Sequence, residues 1–212
     1  MSQKNWLSGV RYGYAIDPDT GEPRYAYRPS LTSGPRQFRL GPDALEWHAG
    51  VRGDRIPYGR IRRVRLSFRP TTMQGRRYIA EIWPAFGPKL TIASSSWKGM
   101  ADQERLDAGY AAFVAELHRR IAAAGTRASF ERGVPALLYW PSLTFSSAAA
   151  LAMAALTVEA LRTGALAGAL FVAAFLALFV WQLGGFFRGN RPGTYRPDAL
   201  PADVLPADVP PR

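Results

Sequence analysis

Gly133-Val-Pro-Ala-Leu-Leu-Tyr-Trp-Pro-Ser-Leu-Thr-Phe-Ser-Ser-Ala-Ala-Ala-Leu-Ala-Met-Ala-Ala-Leu-Thr-Val158 contains no Lys, Arg, Asp, Glu or His. Glu159 and Arg162 interrupt, and a second uncharged run extends from Thr163 to Phe187. As helices rising about 1.5 Å per residue, both runs are long enough to cross the about 30 Å of a hydrocarbon core. So short a link makes them a hairpin, expected over 136–187 with spans at 136–159 and 163–187. The mean hydropathy of −0.12 hides this, because it averages an apolar third against a polar, basic remainder.

Charges around the runs set an orientation. Arg119, Arg120, Arg127 and Arg132 precede the first span; Arg188, Arg191 and Arg196 follow the second. The positive-inside rule places both termini in the cytoplasm. Met1 to Gly9 has no apolar core of a signal peptide, which gives the same expectation. Tyr139 and Trp140 near the entry of the first span, and Trp181, Phe186 and Phe187 near the exit of the second, suit membrane-interface anchors. Ser146, Ala150 and Ala154 recur every four residues in the first span, as do Gly164 and Gly168 in the second. Small residues at that spacing let helices approach closely. They are read as packing the spans on each other, with a homo-oligomer interface as the alternative. Glu159 is a boundary residue within reach of water, and Pro141 is placed in the first helical turn, where its missing N–H costs little.

The segment before the hairpin alternates with period two. Phe38 and Leu40, Leu45 and Trp47, and then Val64, Leu66 and Phe68 make apolar faces separated by Gly41-Pro42-Asp43 and Pro57-Tyr58-Gly59. Val51–Ile56 is a short irregular strand. Arg77–Trp83 and Lys89–Ala93 read as a hairpin through Pro84-Ala85-Phe86-Gly87, and residues 1–35 offer short strands at Val10–Ile16 and Arg24–Tyr27. Leu106, Tyr110, Phe113, Leu117 and Ile121 then form the stripe of an amphipathic helix, with Asp102 and Glu104 at its positive end and Gly125 as its stop. The expected class is α+β: a small sheet or partly open barrel over 36–125, closed by one amphipathic helix. A linker (126–135), the transmembrane hairpin and a tail (188–212) complete the chain.

This order resembles the pleckstrin-homology superfold, in particular bacterial PH-like domains fused to membrane spans. The hairpin Phe38–Trp47, the segment Arg55-Ile-Pro-Tyr-Gly-Arg-Ile61 leading into a strand, and the closing helix carry the resemblance, over about residues 35–125. Similarity to two-span bacterial membrane proteins with such a domain extends it over most of the chain. It implies a bacterial inner-membrane location and no particular activity. The basic hairpin loop of lipid-binding eukaryotic members is not reproduced, since Gly41-Pro42-Asp43 is acidic.

Catalytic chemistry finds little support. There are no cysteines, hence no disulfide or thiolate metal site. The two histidines, His48 and His118, lack recognisable partners and are read as surface residues. Ser94-Ser95-Ser96 suits turn or helix capping better than phosphate binding. No enzyme, cofactor or metal is expected. Residues 1–132 carry +10 of the net +11. Arg52, Arg55, Arg60, Arg62, Arg63, Arg65, Arg69, Arg76 and Arg77 crowd 26 positions in which Asp54 is the sole acid. Arg60, Arg62, Arg63, Arg65 and Arg69 are the candidate ligand surface. They are read first as a solvated face favoured beside an anionic leaflet, and alternatively as a site for lipid headgroups or an acidic partner. No nucleic-acid motif accompanies the charge. After the hairpin, Leu200-Pro-Ala-Asp-Val is repeated as Leu205-Pro-Ala-Asp-Val. Proline at that density favours an extended, disordered end, with a docking peptide as the alternative. The expected role is non-enzymatic: binding or scaffolding of a protein partner at the bilayer surface, or sensing of anionic lipid.

Overall fold

Alternating side chains along residues 13–57 build five consecutive antiparallel strands: β1 (Gly13–Ile16), β2 (Pro23–Tyr27), β3 (Arg36–Leu40), β4 (Ala44–Ala49) and β5 (Arg52–Pro57). The computed structural model describes residues 11–70, 76–99 and 102–206, without the side chains of Pro70 and Arg76. Its chain divides into two units, one comprising 1–132 with 194–212 and the other 133–193.

In the first unit, a 3-10 turn at Tyr58–Arg60 leads to a second sheet. Its strands β6 (Ile61–Pro70), β7 (Arg76–Pro84) and β8 (Leu90–Ala93) are antiparallel. Two short strands, β9 (Ser95–Trp97) and β10 (Gln103–Arg105), pair with each other before helix α1 (Asp107–Ala123). β11 (Ser129–Arg132) then lies parallel to β6, and with β12 (Gly193–Thr194) the second sheet runs β12-β11-β6-β7-β8. Among the described residues, three α-helices with antiparallel and mixed sheets make an α+β protein. Among the described residues the sheets do not join into one hydrogen-bonded barrel. Tyrosine hydroxyls bridge them instead: Tyr25 and Tyr27 on β2 donate to the edge-strand carbonyls of Ala93 (2.7 Å) and Thr91 (2.5 Å). A buried sheet edge without such partners would leave carbonyls unsatisfied.

The helix stripe is as its spacing predicts, with Tyr110, Phe113, Leu117 and Ile121 fully buried. They meet Tyr25, Phe38 and Leu40 of the first sheet and Leu66, Ile82 and Ile92 of the second in one core. Each such side chain contributes about 1.5–3 kcal/mol by leaving water. Gly109 lets α1 close on β1, because a Cβ there would stand 2.9 Å from Tyr14 Cβ and N.

Several expectations are corrected. The short strands expected at Val10–Ile16 and Arg24–Tyr27 are present as β1 and β2, but they belong to the first sheet, expected to begin at residue 36; Val10 lies outside the described residues. The linker contains β11, whose parallel partner β6 lies far earlier in the chain. α1 starts at Asp107, so Glu104 belongs to β10 and Asp102 to the turn before it. Ser94–Ser96 are buried: Ser94 Oγ accepts from the Tyr78 N–H, and Ser96 Oγ from the Arg28 N–H (both 3.0 Å). The tail through Pro206 packs on the domain despite its prolines, because Val204 enters the core and Leu200 and Leu205 lie against it.

The second unit is a helical hairpin, α2 (Ala136–Arg162) and α3 (Leu166–Gly189), both long and apolar enough to cross a membrane. Pro141 is the sixth residue of α2, a turn deeper than expected. At the hairpin base, Gly133 (φ +72°) abuts the Asn190 and Arg191 carbonyls, and the Val134 N–H donates to Asn190 O at 3.1 Å. A Cβ at 133 would collide with that backbone.

Candidate functional site

Arg63, Arg65, Ser67 and Arg69 alternate along β6, and the register brings carboxylates to them. Arg65 pairs with Glu81 on β7 and with Glu131 on β11. Its Nε donates to Glu131 Oε2 at 3.0 Å, and its side chain is only 14% exposed. Arg63 reaches the same carboxylate at 3.9 Å, while Glu81 is held by Lys89 at 2.7 Å and, more distantly, by Arg69. The indole of Trp83 completes the face, with Arg63 Cζ 4.5 Å and Lys89 Nζ 5.5 Å from its ring centre. This is a mixed network rather than a bare arginine patch. Arg60 and Arg62 differ: both are exposed and form no ion pair among the described residues.

A second feature is a cleft of about 560 Å³ lined by Glu22, Pro42, Asp43, Tyr58, Arg119 and Arg120, among others. Arg120 Nη1 donates to the Leu40 and Gly41 carbonyls (2.9 and 2.6 Å), and its Nε donates to Glu116 (2.7 Å). The Tyr58 hydroxyl also donates to Gly41 O, at 2.8 Å, and burial pushes its pKa up to about 12. Arg120 thereby ties the end of α1 to the β3–β4 turn. Glu116, bonded to Arg119 and Arg120, is held below the usual carboxylate range. The cleft has salt-bridged walls and no nucleophile paired with a base.

The third feature departs from the sequence expectation. His118, expected at the surface, is fully buried. Its Nδ1 lies 2.7 Å from Val114 O, which can only accept, so Nδ1 carries the proton. Nε2 then accepts from the Tyr195 hydroxyl, also at 2.7 Å. The Phe130 and Tyr195 rings flank the imidazole at 5.4 and 5.7 Å, and the Tyr195 N–H donates to Phe130 O. Burial drops the His118 pKa to about 4 and raises that of Tyr195. Further along the tail, Arg132 Nη1 holds both oxygens of Asp203 at 3.0 Å, and Val204 is buried beside them. His118 follows Val114 by four residues and precedes Ile121 by three, and that helical spacing to two buried positions is the sequence signal for its burial. Its partner lies beyond the hairpin and left no local trace.

In the hairpin unit, Tyr139 and Phe187 are buried in edge-to-face contact (5.5 Å), and Phe186 meets Phe187 in the same way, while Trp140 and Trp181 are exposed. Ser146, Ala150 and Ala154 are half-buried on α2. Gly164 and Gly168 do not mark a close helix approach. Gly164 is in the turn (φ +76°), and a Cβ at either meets nothing within 4 Å; Ala169 is the buried small residue of α3. Among the described residues, no cluster of His, Asp or Glu could hold a metal ion. No protein-family model matches the chain, and neither a curated protein nor a solved structure does.

Proposed function

We propose that this chain is a two-span protein of the bacterial inner membrane that presents a basic, PH-like domain to the cytoplasm as a non-enzymatic binding or scaffolding module. The observation that carries the topology is the composition of the first unit: residues before and after the hairpin fold together, joined by His118–Tyr195 and Arg132–Asp203. Two segments of one folded unit occupy one side of a bilayer, so an even number of crossings separates them. The arginines flanking the hairpin make that side cytoplasmic. The first-sheet meander, the second sheet and the closing helix support the PH-like reading. The absence of cysteine from the chain provides a direct test. Single cysteines at exposed Arg52, Thr163 and Asp198 would be challenged in intact cells with a membrane-impermeant maleimide. Thr163→Cys alone should label from outside; labelling of Arg52→Cys or Asp198→Cys from outside overturns the topology.

A second reading is favoured by Arg60 and Arg62, which are exposed and form no ion pair among the described residues: the domain senses anionic lipid. Proteoliposomes carrying the full chain at one orientation should then recruit added anionic vesicles. Loss of that recruitment on Arg60→Glu with Arg62→Glu supports lipid sensing; recruitment indifferent to the change leaves a protein partner as the ligand.

A further inference from the structure

The tail carries the same five residues twice, and the first copy, Leu200–Val204, shows how they are read. Pro201 enters in an extended conformation (ψ 127°) and starts a 3-10 turn, Ala202–Val204, against β6. The turn separates neighbouring side chains by role. Asp203 goes to the Arg132 guanidinium with both oxygens at 3.0 Å, Val204 is 1% exposed in the core, and Ala202 stays in water. Leu200 packs at the rim. Each element of Leu-Pro-x-Asp-Val therefore has an assigned job: an apolar anchor, a conformational lock, a spacer, a carboxylate for Arg132 and a β-branched plug. A fixed backbone conformation and a specific ion-pair partner are what short-peptide recognition requires.

Leu205-Pro-Ala-Asp-Val209 repeats all five residues; its last three lie outside the described residues. We propose that the groove is a recognition site for Leu-Pro-x-Asp-Val and that the second repeat is its alternative occupant, reached by a five-residue slip of the tail. Tyr195 remains on His118 during the slip, and residues 196–204 become the tether. The copies differ in their C-terminal neighbours. After the first copy, Leu205 packs against the core and Pro206 is buried, whereas the second offers Pro210 and Pro211. That difference makes the first copy the resident and the second the reserve.

Thiol protection in the full chain, purified in detergent micelles, tests this. Val204→Cys should react with N-ethylmaleimide at least about tenfold more slowly than the same chain in denaturant, as a thiol exposed only by local opening does. Val209→Cys should react fast in the otherwise unchanged chain. It should gain about tenfold protection when Val204→Asp evicts the first repeat, and Arg132→Ala should reduce that gain severalfold. A Val209→Cys rate that ignores Val204→Asp overturns the proposal. So does protection that appears only as protein concentration rises, which would make the occupant a second chain's tail. Should Val204→Asp melt the domain, seen as lost near-UV dichroism, Asp203→Ala is the gentler eviction and carries the same two outcomes.

Discussion

On the outer face of β6, cations and carboxylates meet at the domain surface: Arg63, Arg65, Arg69 and Lys89 share Glu81 and Glu131 around Trp83, and Arg63, Arg69 and Lys89 keep much of their side chains in water. Around His118, a neutral imidazole, a phenol and a backbone carbonyl meet shielded from solvent. The first region has far more charge, and the second is expected to hold more free energy. Partly exposed ion pairs gain about 0–1 kcal/mol each, because water competes for the partners. A buried polar group has no such fallback, and losing its partner costs the full desolvation. Burial rather than charge density ranks the two regions, and both acid and mutation can measure that ranking.

Acid should have the largest effect. His118 has a folded-state pKa of about 4, against about 6.5 in an unfolded chain. Above pH 6.5 it is neutral in both states and its contribution is whole. Between about 6.5 and 4 the unfolded chain binds the proton and the folded one does not, so stability falls as pH falls. Below about 4 both are protonated and the loss levels off. The span corresponds to about 3 kcal/mol. Urea unfolding of the full chain in micelles at about pH 7, 5.5 and 4 reads it, and His118→Gln should flatten the slope across that window. An unchanged slope in the variant would assign acid sensitivity to the carboxylates and reverse the ranking.

Tyr195→Phe should come next. It removes the only donor to Nε2 among the described residues while keeping the ring against His118 and Phe130, so an acceptor is left buried and unpaired. The expected loss is about 1–3 kcal/mol. Because Tyr195 lies beyond the hairpin, the same change should raise protease sensitivity of the tail. A loss below about 0.5 kcal/mol would place a water at the node and shrink the contrast between the regions.

The node also marks the limit of what is legible along the sequence. The 4-3-4-4 stripe Leu106 to Ile121 and the alternation Val64-Leu66-Phe68 are periodic, and each predicts its own buried face from neighbours within the same element. The uncharged runs are legible for the same reason. The hidden remainder is carried by pairs distant along the chain. Glu131 reaches Arg65 across 66 positions and Tyr195 reaches His118 across 77, so local charge counts exposed the arginines and undercounted their partners. β11 is four residues whose strand character comes from β6. The tail reads as solvated because its composition is proline-rich, yet two or three apolar anchors suffice when a groove awaits them. The glycines failed differently: spacing identified Gly164 and Gly168 as a pair, but the turn between the helices takes the first and rotates the second outward.

Glu131→Gln should cost less, about 0.5–1 kcal/mol, and the cost should shrink with salt. Urea unfolding at low and high ionic strength measures both. The amide keeps a hydrogen bond to Arg65 and loses only the charge, which neighbouring Glu81 partly replaces. Its larger consequence is electrostatic, since the β6 face then presents its cations against one carboxylate instead of two.

Arg60→Ala with Arg62→Ala should leave stability unchanged within about 0.5 kcal/mol, because neither side chain is buried or ion-paired among the described residues. That makes the pair the cleanest separation of function from fold on this molecule. Within the arginine run, Arg63, Arg65 and Arg69 cannot be altered without disturbing Glu131 or Glu81, so a binding defect there would have two explanations. A defect at Arg60 and Arg62 has one. Vesicle recruitment, measured at about 0.05 and 0.2 M salt, should fall in the double variant by roughly tenfold at the lower salt, since each cation near an anionic surface is worth about 1 kcal/mol and screening weakens it. If Arg63→Ala alone reduces recruitment more than the double variant, the paired network rather than the free cations meets the ligand. The comparison between charge in water and structure out of it would then have to be redrawn around Trp83.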